Sequence, residues 1–454
     1  MSLQEYREFV ERKTHLSGNF GFKPTYVNPM AYDFQNALIE WSLEKGRAAT
    51  FADCGLGKTL MQLSWAENVH RHTNKPVLIL APLSVSSQTV EEAAKFDIEA
   101  HRSIDGKFPS GSNIVTTNYE RLHYFCEDDF SGIVCDESSI LKNADGATRS
   151  AITKAMRKVK YRGMYTATPS PNDYTELGTS SEALGDMAYM DMLEHFFVSN
   201  DNSLHPDHIG QQWRFKGHAE RHFWRWVASW ARAIRKPSDL GFSDHGWVLP
   251  ELIEEHHVVD SDPLEGQLFA MPVRGMRDER AERKATIRER CELAAELLSN
   301  HKEGVAWCQF NAEADLMAEL LPNGVNLSGA DKDEVKEEKF RAFRSGEITH
   351  LVTKPKIAAL GVNWQHCAAT TYFDDYSYEQ YYQAVRRFWR FGQKRPVKVY
   401  QIGTTSLANV TKSRKRKAEQ ADVMFNEMMN HMMDAQGHIK AFNDGQKMEA
   451  PKWL

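Results

Sequence analysis

The sequence predicts an α/β protein with two parallel-sheet domains in tandem, a helical insertion between them and a helical tail. Three observations lead there. Short β-branched or apolar runs alternate with amphipathic helical stretches, and this happens twice along the chain. Each run stops at small or polar residues, as buried parallel strands do where they meet their loops. The 454 residues exceed what one hydrophobic core usually holds.

In the first series, VLILAP (77–82), NIVTTN (113–118), GIVCDE (132–137) and YRGMYTATP (161–169) read as strands. TLMQLSWAENVHRH and SVSSQTVEEAAKF read as helices between them. The second series runs GVAWCQF (304–310), a helix through Leu321, GVNLSG, a charged helix, THLVT (349–353), ATTYFDD (369–375), another helix and VKVYQIG. The expected division is a first domain over 1–185, an insertion over 186–250, a second domain over 251–405 and a Met-rich helical tail over 406–454.

Two strand ends carry chemistry. AATFADCGLGKTL leads from a strand through a glycine turn into a helix, the context that makes a glycine match a phosphate loop. Gly55 and Gly57 permit unusual backbone angles and leave amides free to face phosphate oxygens. Lys58 would neutralise the β- and γ-phosphates, and Thr59 would hold Mg2+ through its hydroxyl. SGIVCDESSILKN ends a strand in two carboxylates. Asp136 can bind Mg2+ directly or through water, and Glu137 can orient the attacking water. Together the two stretches describe an NTPase.

With these residues in place, the chain resembles a superfamily 2 helicase or translocase, closest to the Swi/Snf-like branch and its compact phage- and prophage-type members. The resemblance runs from about residue 30 to 405. DCGLGKT looks like motif I, LAPLSVSSQTVEEAAKF like motif Ia, IVTTNYERL like the next DNA-contacting motif, CDESSILKN like motif II and TATPSPN like motif III. In the second domain, AWCQF looks like motif IV, LVTKPKIAALGVNW like motif V and QAVRRFWRFGQKRPVKVYQI like motif VI. The last is the most specific, through its QxxxRxxRxGQ spacing. Departures are Ser138 and Ser139 in motif II, and Ala358 and Ala359 in motif V.

The resemblance implies two RecA-like domains with ATP in a cleft between them, and Mg2+ beside it. It makes Gln35 the adenine-reading glutamine, and places Gly361 and Gln383 with the nucleotide. Arg387 and Arg390, spaced four and seven residues beyond Gln383, are expected on one helical face, with Arg390 as the arginine finger. Nucleic acid would meet Pro82, Leu83, Ser84, Thr117, Asn118 and Thr353. The implied partner is DNA, whether single-stranded, forked or duplex, with replication or recombination proteins as further partners. An RNA helicase and an ATP-switched clamp are the alternatives; the GQKRP ending favours DNA, and an intact Glu137 favours turnover.

One stretch lies outside those motifs: GHAERHFWRWVASWARAIRKPSDLGF, 217–242. On a helical wheel Phe223, Trp226, Val227, Trp230 and Ile234 share a face and are expected to pack in the core. Arg221, Arg225, Arg232, Arg235 and Lys236 cluster opposite, and the first three are expected to follow a DNA backbone. Pro237 closes the helical pattern.

Bulk properties set the remaining bounds. At 41% hydrophobic and 26% charged the chain reads as an ordinary water-soluble protein. No window approaches the roughly eighteen apolar residues needed to span a bilayer, so no membrane partner is expected. The first residues, MSLQEYREFVERK, carry no apolar signal core. Six scattered cysteines suggest neither a disulfide framework nor zinc, and HAERH misplaces the glutamate of a metalloprotease helix. A reducing cytoplasm is expected, that of a bacterial host if the gene is a phage's. The net charge of −6 does not argue against DNA, because RKVKYR, RRFWRFGQKRPVK and KSRKRK are local basic clusters.

Overall fold

The computed structural model describes residues 18–143, 146–199, 213–260, 276–358, 363–405 and 408–443. The chain forms two compact units, one of Met1–Asp244 with Gln420–Leu454, the other of His245–Glu419. Each is built on a parallel sheet with helices between its strands.

The first unit contains β1 (Arg47–Ala52), β2 (Val77–Ala81), β3 (Ala100–Arg102), β4 (Ile114–Asn118), β5 (Gly132–Asp136), β6 (Tyr161–Thr166), a two-stranded antiparallel ribbon of β7 (Phe197–Ser199) and β8 (Trp213–Phe215), and β9 (Ala231–Ile234). Seven strands form one sheet in the order β3-β4-β2-β5-β6-β1-β9. The central strands are buried along their whole length, which is why β2 and β5 read as continuous apolar runs and why none of the four alternates between apolar and charged residues. The helix Lys58–Thr73 connects β1 to β2, and Leu83–Lys95 follows β2.

The segment read from sequence as an insertion is largely part of this first unit. The single helix expected through Ile234 is not formed: Ala219–Trp230 is helical, and the chain then extends into β9. β9 lies parallel to β1, pairing Ala49 with Ala231 through Ala52 with Ile234. The aromatic residues Phe223, Trp226, Val227 and Trp230 are buried in the core of this unit, with Trp224 among them. Arg232 overturns the expectation placed on it. It is 6% exposed, its guanidinium donates to the carbonyls of Ala228 and Ala231, and it lies over the Trp41 ring at 4.1 Å. A strand alternates side chains where a helix would have swung Arg232 to the solvent face.

The second unit contains β10 (Leu252–Val259), β11 (Gly304–Trp307), β12 (Gly324–Asn326), β13 (His350–Thr353), β14 (Ala369–Phe373) and β15 (Val397–Thr404), in the order β10-β15-β14-β11-β13-β12. All the pairings are parallel. Just beyond β14, Asp374 is held by Arg414 Nη2 at 2.7 Å and by His256 Nε2 at 2.9 Å. Arg414 belongs to the helix Ala408–Asn443, whose first residues fall in the second unit and whose later ones fall in the first. Met424, Phe425, Met428 and Met432 of that helix are buried in the core of the first unit. No helix among the described residues is long and apolar enough to cross a membrane, and all six cysteines are free thiols.

Candidate nucleotide site

The register of the first sheet brings its candidate residues to one edge. Tyr165 of β6 pairs with Thr50 of β1 on one side and with Asp136 of β5 on the other. The phosphate-type loop, Glu137 and Thr166 therefore all lie at or just beyond the carboxyl ends of neighbouring strands, where α/β sheets hold ligands.

The loop is built for close backbone approach. Gly55 and Gly57 have φ of 91° and 80°, and a Cβ on Gly57 would stand 2.3 Å from Gln35 Nε2. The helix Lys58–Thr73 starts without a side-chain cap and without an acidic residue in its first turn, but with His70, Arg71 and His72 in its last. Its first amides are thus left to an anion, in the sense that the helix dipole favours. Lys58 Nζ donates to the Ala52 carbonyl at 2.9 Å and reaches that of Asp53 at 3.4 Å. β9 braces the start of the loop, with Asp53 N–H donating to the Ile234 carbonyl at 2.9 Å. The wheel over 217–242 hid that brace.

Gln35 lies beneath the loop, 2% exposed. Its Nε2 donates to the Leu56 carbonyl at 2.8 Å and its Oε1 accepts from Tyr32 N–H at 2.9 Å. One N–H and one lone pair remain to it, so its visible work is to shape the loop.

Asp136 is buried, and burial together with the Glu137 charge pushes its carboxyl up to about 7, with Lys58 pulling the other way. Glu137 sits in the left-handed region, φ 56° and ψ 55°, which costs a non-glycine residue about 1–2 kcal/mol. Thr166 Oγ1 donates to Glu137 Oε2 at 3.2 Å and accepts from Thr168 N–H at 3.1 Å. Tyr119 O–H donates to the Asp136 carbonyl. Neither Tyr119 nor Thr166 was singled out from sequence; Tyr119 follows, and Thr166 ends, a strand that was read for other reasons.

In the second unit the helix Tyr378–Val385 ends before the arginines, so Arg387 and Arg390 lie in the turns beyond it rather than on one helical face. Three guanidiniums crowd there. Burial, with Arg390 and Arg387 beside it, pulls Arg386 down to about 9. Arg387 Nε donates to the Gln383 carbonyl, and Gln383 is itself buried. The turn is anchored by Trp389 Nε1 donating to Pro250 at 2.6 Å, by Trp247 stacked on Phe391 at 4.3 Å, and by Phe388 in the core.

The nucleic-acid candidates divide. Arg221 and Arg225 are exposed on their helix. Pro82 is half-buried at the start of the helix holding Leu83 and Ser84, whose side chains lie outside the described part. Thr353 does not fit the role given to it: it is wholly buried and its hydroxyl donates to the Leu327 carbonyl. Thr117 and Asn118 are 1% and 6% exposed, too deep for direct phosphate contact as they stand. Gly361 lies outside the described residues. Among the described residues no group of three or more His, Cys, Asp and Glu is arranged to hold a metal.

No family model matches the chain. Protein p41 of Acyrthosiphon pisum secondary endosymbiont phage 1 is 29% identical over 168 residues, which are 32% of this chain and 36% of that one. The chain thus spans about a third of the length of this curated relative. Among solved structures, the Sulfolobus solfataricus SWI2/SNF2 ATPase core in complex with dsDNA aligns over 90% of this chain and 95% of its own, at 17% identity and a TM-score of 0.43. At that score the likeness assigns no residue a role.

Proposed function

We propose that the protein is a DNA-dependent ATPase that moves along DNA as a translocase or helicase, with ATP and Mg2+ as its cofactors. The observation that carries this reading is the carboxyl edge of the first sheet. There an uncapped helix start with Lys58 adjoins the Asp136–Glu137 pair, and Thr166 orients the second carboxylate.

The residues fit a nucleotide and its metal. Two adjacent carboxylates at a buried edge, one pushed up by burial and by the other's charge, call for a cation. A threonine hydroxyl and a carboxylate are the hard oxygen donors that Mg2+ prefers. Thr59 and Asp136 would hold it; when bound, it draws charge from the phosphate oxygens. The chain's own residues do the rest. Lys58 leaves the Ala52 carbonyl for the phosphates, the first-turn amides hold the anion, and Glu137 takes the proton of the attacking water. Arg390 supplies positive charge to the γ-phosphate in the transition state, with Arg387 beside it. The DNA part of the reading is supported by the exposed Arg221 and Arg225 and by the motif resemblance.

The test is the ATPase rate measured in parallel with no nucleic acid, single-stranded DNA, duplex DNA, forked DNA and RNA. Stimulation by DNA over RNA is expected. Stimulation by RNA alone would move the protein to the RNA-acting branch, and one turnover without recycling would make it a switched clamp.

A further inference from the structure

Tyr119 follows β4 directly and is 5% exposed, and its phenol donates to the backbone carbonyl of Asp136. That oxygen lies in the peptide plane joining Asp136 to Glu137. Because a peptide unit is planar, fixing the oxygen fixes the direction in which the Glu137 backbone departs. The direction is an uncommon one, since Glu137 is one of four non-glycine residues with positive φ among the described residues. Strain of this kind persists only where the surroundings over-determine it, and it collects at functional sites. Here two bonds hold Glu137 from opposite ends: Tyr119 fixes the peptide behind it, and Thr166 Oγ1 fixes the carboxylate at 3.2 Å.

We propose that Tyr119 is a positioning residue for hydrolysis, its hydroxyl holding the Asp136–Glu137 peptide so that the Glu137 carboxylate is aimed at the attacking water. This rests on the reading of Glu137 given above. In this role the phenol acts through the backbone, by its bond to the Asp136 carbonyl. A hydroxyl that only satisfied a buried carbonyl would affect stability and leave the chemical step unchanged.

The test is Tyr119→Phe, which keeps the ring in its core and removes one hydrogen bond. It is measured beside the wild-type chain, with and without duplex DNA. The expected result is a kcat lower by about tenfold, the size of one lost hydrogen bond. The half-saturating ATP concentration and the affinity for a non-hydrolysable ATP analogue should change by less than about twofold, and Tm by a few degrees at most. In a Glu137→Gln background the same substitution should leave the single-turnover rate unchanged, because the route through Glu137 is gone. Several outcomes overturn the proposal: an unchanged kcat, a loss that persists in the Glu137→Gln background, analogue affinity falling in step with kcat, or a rate loss that only tracks a collapse in Tm. A wild-type chain that does not hydrolyse ATP under any condition overturns the functional reading, and this role with it. A wild-type chain that does, beside an indifferent Tyr119→Phe, overturns the positioning role alone.

Discussion

The two sheets share a pattern, and they crowd opposite charges at their candidate sites. In the first unit two acids are adjacent at a buried strand end, and the carboxyl of Asp136 is pushed up to about 7. In the second, three arginines share a turn, and Arg386 is pulled down to about 9. In each place burial and a neighbouring like charge disfavour the ionised form of one group, Asp136 in the first and Arg386 in the second. Under the proposed function the acid pair meets a cation and the arginine turn an anion. Asp374 shows what a settled charge looks like in the same molecule. Its carboxylate, 1% exposed, lies against Arg414 and His256, and these two partners keep it ionised.

The largest expected effect tests the acidic side. Glu137→Gln should lower turnover by about 10³ or more while ATP stays bound, since it removes the base and leaves the phosphate contacts. Lys58→Ala should instead weaken nucleotide binding. Titrations and steady-state rates separate the two, and near-normal turnover in Glu137→Gln would break the contrast at its first term.

Arg390→Ala probes the basic side. Its rate should fall by roughly 10³, the scale of an arginine finger, with nucleotide-free DNA binding unchanged. Normal hydrolysis with lost DNA affinity would move the arginine turn from the γ-phosphate to the nucleic acid.

The compensated charge should behave differently from both clusters. Asp374→Asn takes from Arg414, which is 5% exposed, its charge partner, leaving it the Gln401 amide oxygen, and should cost about 3–5 kcal/mol of stability, the usual cost of breaking a buried pair. Burial alone would raise the Asp374 carboxyl, but the His256 hydrogen bond and the Arg414 guanidinium outweigh it and hold it below the ordinary carboxylate value. Its folded pKa is therefore depressed. The stability it contributes is present above the unfolded value, about 3.9, and is lost as the pH falls through the folded one. Melting curves between neutral and acid pH should show that the Asn variant loses less stability in that window than the wild type.

The smallest effect belongs to the exposed arginines. Replacing Arg221 and Arg225 with Gln should leave basal ATPase intact and weaken DNA binding at all sequences. The salt slope should fall by about two, near 0.9 for each lost phosphate contact. An unchanged slope and affinity would make that face plain solvated surface.

Most strands of both sheets were legible in the sequence because parallel strands buried on two faces read as apolar runs; β3 and β10 were not read, β3 being short and β10 half-exposed along alternate residues. The loop glycines and Asp136–Glu137 were legible because those runs ended on them. β9 was not legible. Trp226, Trp230 and Ile234 continue a helical spacing without a break, and only pairing with β1 decides that the chain extends after Trp230. Arg232 was lost with it, because its direction depended on that choice. Thr353 was misplaced for a related reason, since a hydroxyl at a strand end looks the same in sequence whether it faces a ligand or a neighbouring carbonyl. Arg387 and Arg390 had the expected spacing, but no cap signal marked the helix end at Val385. Tyr119 was invisible as a functional residue because its partner is a backbone oxygen, which no side-chain pattern reports.

The first unit is discontinuous in the chain, and its core takes Met424, Phe425, Met428 and Met432 from the later part of a helix that begins inside the second unit. On the ribosome this has a consequence for order. The phosphate-type loop and the acid pair emerge early, while the apolar side chains that complete their core are synthesised only after residues 245–419. The second unit can close from its own contiguous residues while the first still waits for the rest of that helix. A chain interrupted just after Glu419 would carry every residue of the candidate nucleotide edge on an unfinished core, with apolar surface open to chaperones and proteases.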